Sequence, residues 1–127
     1  MGIALSQNLK KIEAIEFLQS GLAYTTDEET DLRLQMHILL GDLYHQQQNH
    51  LLSDKNYSDA LKIQPSNALV LNNYAYYLGL RNQELDRALG MSRRALEIEP
   101  DNASYLDTYA WVLYTMGRYA DALEPMT

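Results

Sequence analysis

Residues 60–68 read ALKIQPSNA, and residues 95–103 read ALEIEPDNA. Ala, Leu, Ile, Pro, Asn and Ala recur in the same order, each 35 residues further on: Ala60 to Ala95, Pro65 to Pro100, Asn67 to Asn102. A chain that repeats itself at an interval of roughly 20 to 50 residues is a stack of similar units, none of which can bury its apolar face alone.

Both stretches join the end of one helix to the start of the next. Pro65 and Pro100 have no N–H to continue a helical ladder and stop the helices before them. The residues just after carry short side-chain acceptors that suit an N-cap, Ser66 or Asn67 in one copy and Asp101 or Asn102 in the other. The spacing predicts helices over 50–63 and 68–80, then over 85–98 and 103–116, with Gly117 as the closing cap. A further helix begins at Tyr119.

Upstream, Leu5, Leu9, Ile12, Ile15, Leu18 and Leu22 recur at three- and four-residue steps and predict an amphipathic helix over 4–24. Thr26 and Glu29 have capping-box spacing ahead of a helix over 30–48. That helix carries Leu32, Met36, Leu39, Leu40, Leu43 and Tyr44 on its apolar side, and the polar run 46–49 ends it. About seven helices with short loops and no strand pattern make the chain all-α, and short loops force sequential helices to pack antiparallel.

Composition narrows the function classes. The 127 residues are 46% hydrophobic and 21% charged, which suits a folded globular chain. There are ten Tyr against one Phe and one Trp, and Tyr suits half-buried positions and binding surfaces. A net charge of -7 argues against nucleic acid, whose phosphates demand clustered cations. The basic pairs Lys10-Lys11 and Arg93-Arg94 stand among acidic neighbours and belong to solvated faces. No apolar run approaches the roughly 18 residues of a membrane-spanning helix, and no secretory signal is visible. Met1-Gly2-Ile3-Ala4-Leu5-Ser6 fits the myristoylation pattern formally and is read as a chance match.

Sites for chemistry are not indicated. The six Gly are scattered singly, so no phosphate-cradling loop exists, and Ser, His and Asp fall in no nucleophile motif. The carboxylates Asp27, Glu28 and Glu29 sit in a turn, where capping and solvation explain them. There is no Cys, and His37 and His45 stand two helical turns apart, too far to share an ion. His37 is assigned to half-buried packing. No catalytic residue, metal or cofactor is expected.

The phased copies resemble the tetratricopeptide repeat (TPR), a 34-residue helix pair with the pattern W-x2-L-G-x2-Y…A-x3-F…P. Leu40-Gly41-x2-Tyr44 followed by Tyr57-x2-Ala60-Leu61-x3-Pro65 matches it. The next copy supplies Leu71-x2-Tyr74-Ala75-x2-Leu78, then Ala88 and Ala95-Leu96-x3-Pro100. The last supplies Leu106-x2-Tyr109-Ala110-x2-Leu113, then Gly117-x-Tyr119-x2-Ala122. The opening helix is similar to the second half of an earlier copy, with Ala14-x3-Leu18-x2-Gly21-Leu22. The stretches NNYAYYLG and YLDTYAWVLYTMGRYADAL look like bacterial members.

The resemblance implies one domain over 1–127: a partial repeat over 1–26, repeats over 32–65 and 67–100, and an incomplete repeat over 103–127. It implies an α-solenoid of antiparallel helix pairs wound as a right-handed superhelix, and the unfinished ends suggest a piece of a longer protein. Small residues (Gly41, Ala75 and Ala110 on first helices, Ala60, Ala88 and Ala95 on second helices) let paired helices approach closely. Departures include Ser53 in place of Ala, Ser92 in place of a large aromatic, Thr26 in place of the closing Pro and one extra residue near 81–84. Gly90 inside a helix costs about 1 kcal/mol relative to Ala.

In this family the first helices of successive pairs line a concave groove that holds a partner segment. With Leu71, Tyr74, Ala75 and Leu78 assigned to packing, Asn72, Tyr76 and Gly79 lie on the adjacent face. The equivalents are Ile38, Asp42 and His45 before them and Asp107, Trp111 and Tyr114 after them, with Asn73 and Thr108 flanking the row. Chaperone-binding members grip an acidic C-terminal carboxylate with Lys and Arg. Asn73 matches the Asn of that clamp, but the cations are missing. A non-catalytic scaffold for an apolar or basic protein segment is therefore expected, with Tyr76 and Trp111 as anchors. The rival expectation is self-association through open helical ends. The compartment stays open, because lack of Cys suits a bacterial cytoplasm and a periplasm equally.

Overall fold

A computed structural model describes the backbone of residues 2–117 and the side chains of residues 7–117. Among them are six α-helices: α1 (Gly2–Tyr24), α2 (Thr30–Gln46), α3 (His50–Ile63), α4 (Ala68–Leu80), α5 (Leu85–Ile98) and α6 (Ala103–Thr115). The helix expected from Tyr119, with Ala122, lies outside the described residues. The chain divides into two compact units, Met1–Pro65 and Ser66–Thr127.

The helix starts follow the sequence closely. Asn67 and Asn102, rather than Ser66 and Asp101, cap α4 and α6, their side-chain oxygens accepting the N–H of Val70 (3.0 Å) and Tyr105 (3.2 Å). Asn49 does the same for α3 through Leu52 N–H at 3.3 Å. The Thr26–Glu29 pair behaves differently from a capping box. The Glu29 carboxylate accepts from both the N–H and the hydroxyl of Thr26, and Glu29 itself is the N-cap of α2. The pair closes the turn before the helix instead of the first turn of it.

The ends of α2 and α4 share one device. At the end of α2, Gln48 N–H bonds to the His45 carbonyl and Asn49 N–H to the Tyr44 carbonyl, each at 2.9 Å. At the end of α4, Asn82 and Gln83 repeat this with Gly79 and Leu78 at 3.1 and 3.0 Å. Such a closure needs its first residue in the left-handed region, and Gln48 (φ 61°) and Asn82 (φ 55°) adopt it although neither is Gly. Gly117 (φ 77°) meets the same demand at the end of α6. The extra residue of the middle copy is absorbed at Glu84, which takes φ 44° ahead of α5.

In the first unit α1 packs on α2 and α2 on α3. Ile15, Leu40 and Tyr44 form the buried centre, with Leu18, Leu22, Leu43 and Leu52 packed around it. Leu9 and Ile12, expected on the same stripe as Ile15, are instead exposed (53% and 44%). Steps of three residues fall about 60° short of a full turn. The run from Leu9 through Ile12, Ile15 and Leu18 therefore winds around α1, and only its later members face α2. The closest approach is at Gly41, where an added Cβ would stand 2.7 Å from the ring of fully buried Tyr57. The Ser53 hydroxyl crosses the same junction and donates to the Gly41 carbonyl at 2.8 Å. That bond explains why Ser serves there in place of Ala.

In the second unit α4 packs on both α5 and α6, and α5 packs on α6. Val70, Leu71, Tyr74, Ala75 and Leu78 of α4 are buried, as are Ala88 and Ala95 of α5 and Ala110, Val112 and Leu113 of α6. Ala75 and Ser92 are both fully buried and occupy the positions that Gly41 and Tyr57 hold one copy earlier. A small residue replaces the ring, and the facing helix then has room for a Cβ.

Two substitutions test this packing account by urea denaturation. Gly41→Ala drives a methyl into the Tyr57 ring and is expected to destabilise the chain by about 1–3 kcal/mol. Gly90→Ala is expected to stabilise it by about 1 kcal/mol, because nothing lies within 4 Å of a Cβ built at Gly90.

Candidate functional site

Helical spacing assembles the site in the second unit. Asn73, Tyr76, Tyr77 and Leu80 follow one another at three- and four-residue steps on α4, with Asn72 beside them. Ser104, Asp107, Thr108 and Trp111 repeat that spacing on α6. These two faces meet around a cavity of about 530 Å³. That size lies within the range of small-ligand and side-chain pockets, roughly 300–1,000 Å³.

Trp111 is placed by its neighbours. Its indole lies on Gly79, where an added Cβ would come within 3.3 Å of Cδ1 and Nε1, and beside Val112 of its own helix. It also stacks on Tyr114, with ring centroids 6.1 Å apart and an interplanar angle of 20°. It remains 38% exposed and Tyr76 40% exposed, so both present ring surface to solvent while anchored at one edge. Tyr76 is tilted against Tyr77 with centroids 5.9 Å apart. One indole thus combines packing against the helix with ring surface open to solvent.

One polar group on the lining, the Asp107 carboxylate, carries a formal charge. Asp107 is exposed on the wall, and among the described residues nothing pairs with it. Asn72 is only 8% exposed, and its Oδ1 is buried with no hydrogen-bond partner among the described residues. The Thr108 hydroxyl is occupied, donating to the Ser104 carbonyl at 3.1 Å. No Lys or Arg lines the cavity.

Six of the residues singled out from sequence, Asn72, Asn73, Tyr76, Asp107, Thr108 and Trp111, line this one cavity, and Tyr114 supports it. The three on α2 are placed otherwise. Ile38 is buried at 7% exposure, so it offers little surface. Asp42 accepts a hydrogen bond from the Tyr57 hydroxyl. His45 lies 5.9 Å from His50, ring to ring. Tyr77, Leu80 and Ser104 were not anticipated, although each continues the same helical face by a step of three or four residues.

His37 is more deeply buried than expected, at 6% exposure. Asn56 donates its Nδ2–H to the Leu52 carbonyl, which turns Oδ1 toward His37. His37 Nδ1 lies 2.9 Å from that oxygen and is therefore the protonated nitrogen of the ring. No group of three or more potential metal ligands occurs among the described residues. No helix among the described residues is long and apolar enough to cross a membrane.

No protein-family model and no curated protein sequence matches the chain. Among solved structures, a charge-reversal point mutant of MamA, a TPR-like protein, is similar with a TM-score of 0.65 and 22% sequence identity. The similarity covers 89% of this chain and 87% of that one. With the helix pairs described above, this establishes an all-α, TPR-type helical-repeat fold.

As the sole tryptophan, Trp111 reports on the site directly. Tyr114→Ala removes the stacked ring and is expected to raise the acrylamide quenching of Trp111 fluorescence. The expected loss of stability is about 0.5–1.5 kcal/mol, with helicity by circular dichroism unchanged.

Proposed function

We propose that this chain is a non-catalytic protein-interaction scaffold that receives a segment of a partner protein in the cavity between α4 and α6. The observation that carries the reading is the half-exposed aromatic pair, Tyr76 and Trp111, flanking the cavity between α4 and α6. Aromatic side chains anchored at one edge and open at the other lose little freedom on binding and contribute most as interface anchors. The similarity of fold to MamA supports a scaffold role, since helix pairs of this type present surfaces and leave chemistry to others. The partner segment is apolar or basic. An acidic C-terminus would meet Asp107 and find no cation.

A second reading rests on α1. Leu9, Phe17 and Tyr24 are 53%, 78% and 88% exposed, on the side of the helix turned away from Ile15, Leu18 and Leu22, with Glu13 and Glu16 among them. Large exposed apolar side chains of this kind offer contact surface to another helix. Self-association through it makes the solution mass rise with concentration, and Phe17→Ser abolishes that rise. A pure groove binder keeps one mass throughout.

The groove reading is tested by affinity capture from an extract of the source organism. The chain is compared with a Tyr76→Ala, Trp111→Ala double variant whose helicity is checked by circular dichroism. A protein retained by the unaltered chain and lost from the variant is the expected result. Equal retention by both, or by neither, removes the aromatic cavity as the working surface.

A further inference from the structure

We propose that the cavity between α4 and α6 is a receptor for an arginine side chain carried on the partner segment; this rests on the groove reading above and names its ligand. Four observations converge. The single formally charged group on the lining is the Asp107 carboxylate, and no described residue pairs with it. Asn72, more than nine-tenths buried, carries an acceptor oxygen that has no hydrogen-bond partner among the described residues. Tyr76 and Trp111 offer open ring surface, and indole is the strongest aromatic partner for a cation. The chain as a whole carries -7, which draws a basic segment in and keeps an acidic one out.

A guanidinium answers these features together. Its planar fork presents two N–H groups to one carboxylate and stacks its face on an aromatic ring, and it has donors left over. One of those reaches Asn72 Oδ1 after a turn about the soft terminal torsion of the carboxamide. A lysine ammonium is a compact, strongly hydrated charge that cannot stack and fork at once. A purely apolar side chain would cover Asp107 and Asn72 without satisfying either, and a carboxylate would be repelled. The unit already holds one such contact, with the Arg87 guanidinium 4.9 Å from the Tyr74 ring centroid and bonded to its hydroxyl at 3.1 Å.

The test is selection of random nonapeptides displayed on phage against the full chain, with counter-selection on the Tyr76→Ala, Trp111→Ala variant. Binders that need the aromatic pair are made synthetically and titrated by Trp111 fluorescence. Enrichment of Arg is expected. Arg→Leu in the peptide and Asp107→Asn in the chain are each expected to weaken binding by about tenfold or more. Added salt weakens it further. Asn72→Leu supplies an opposed pair of readouts. Affinity falls while the melting temperature rises by about 2–5 °C, because a buried unpaired oxygen is removed. Binders that are apolar and indifferent to Asp107→Asn overturn the proposal and leave the groove reading standing. Equal affinity for Lys and Arg versions overturns the choice of guanidinium. If no binder depends on Tyr76 and Trp111, the proposal and the groove reading fall together.

Discussion

Everything in the first unit depends on how closely the backbone at Gly41 can approach the ring of Tyr57. The ring is fully buried, and an added Cβ would stand 2.7 Å from it. Burial of a side chain that size is worth roughly 1.5–3 kcal/mol, yet it is available only if the facing helix presents no side chain at that point. The Ser53 hydroxyl and the Tyr57 hydroxyl then tie the junction to the Gly41 carbonyl and to Asp42. One copy later both partners are small, Ala75 on the first helix and Ser92 on the second, and both are fully buried.

That difference between the copies has consequences for the surface. In the first unit Asp42 is engaged by the Tyr57 hydroxyl, and Ile38 turns inward. In the second unit the equivalent positions on α4, Asn72 and Tyr76, are not drawn into such a bond, and α6 stands beside them with Asp107 and Trp111. The cavity arises where the packing leaves polar and aromatic tips over after the core is filled. Gly79 contributes by letting the indole edge at Cδ1 and Nε1 come close to α4.

The helix closures show how far local rules reach. Asn67 and Asn102 could be read as caps from their place after a helix-stopping Pro, and the structure uses both. Gln48 could not be read as a left-handed residue, because it is neither Gly nor Asn, whereas Asn82 is of a type that tolerates that region. What puts them there is the demand that the next helix turn back onto its partner within a few residues. Glu84, the extra residue of the middle loop, takes the same strained region for the same reason.

The sequence by itself determined the helix pairs, their order, the small residues between them and most of the aromatic and amide face on α4 and α6. These follow from periodicity, which is a property of one chain segment at a time. Only the tertiary structure decided which of those residues share a cavity, that Leu9 and Ile12 turn away from α2, and that Asn72 is left with a buried acceptor oxygen. Those outcomes depend on the angle at which one helix meets the next. That angle is set by the summed volumes at the contact, and no residue taken alone encodes it.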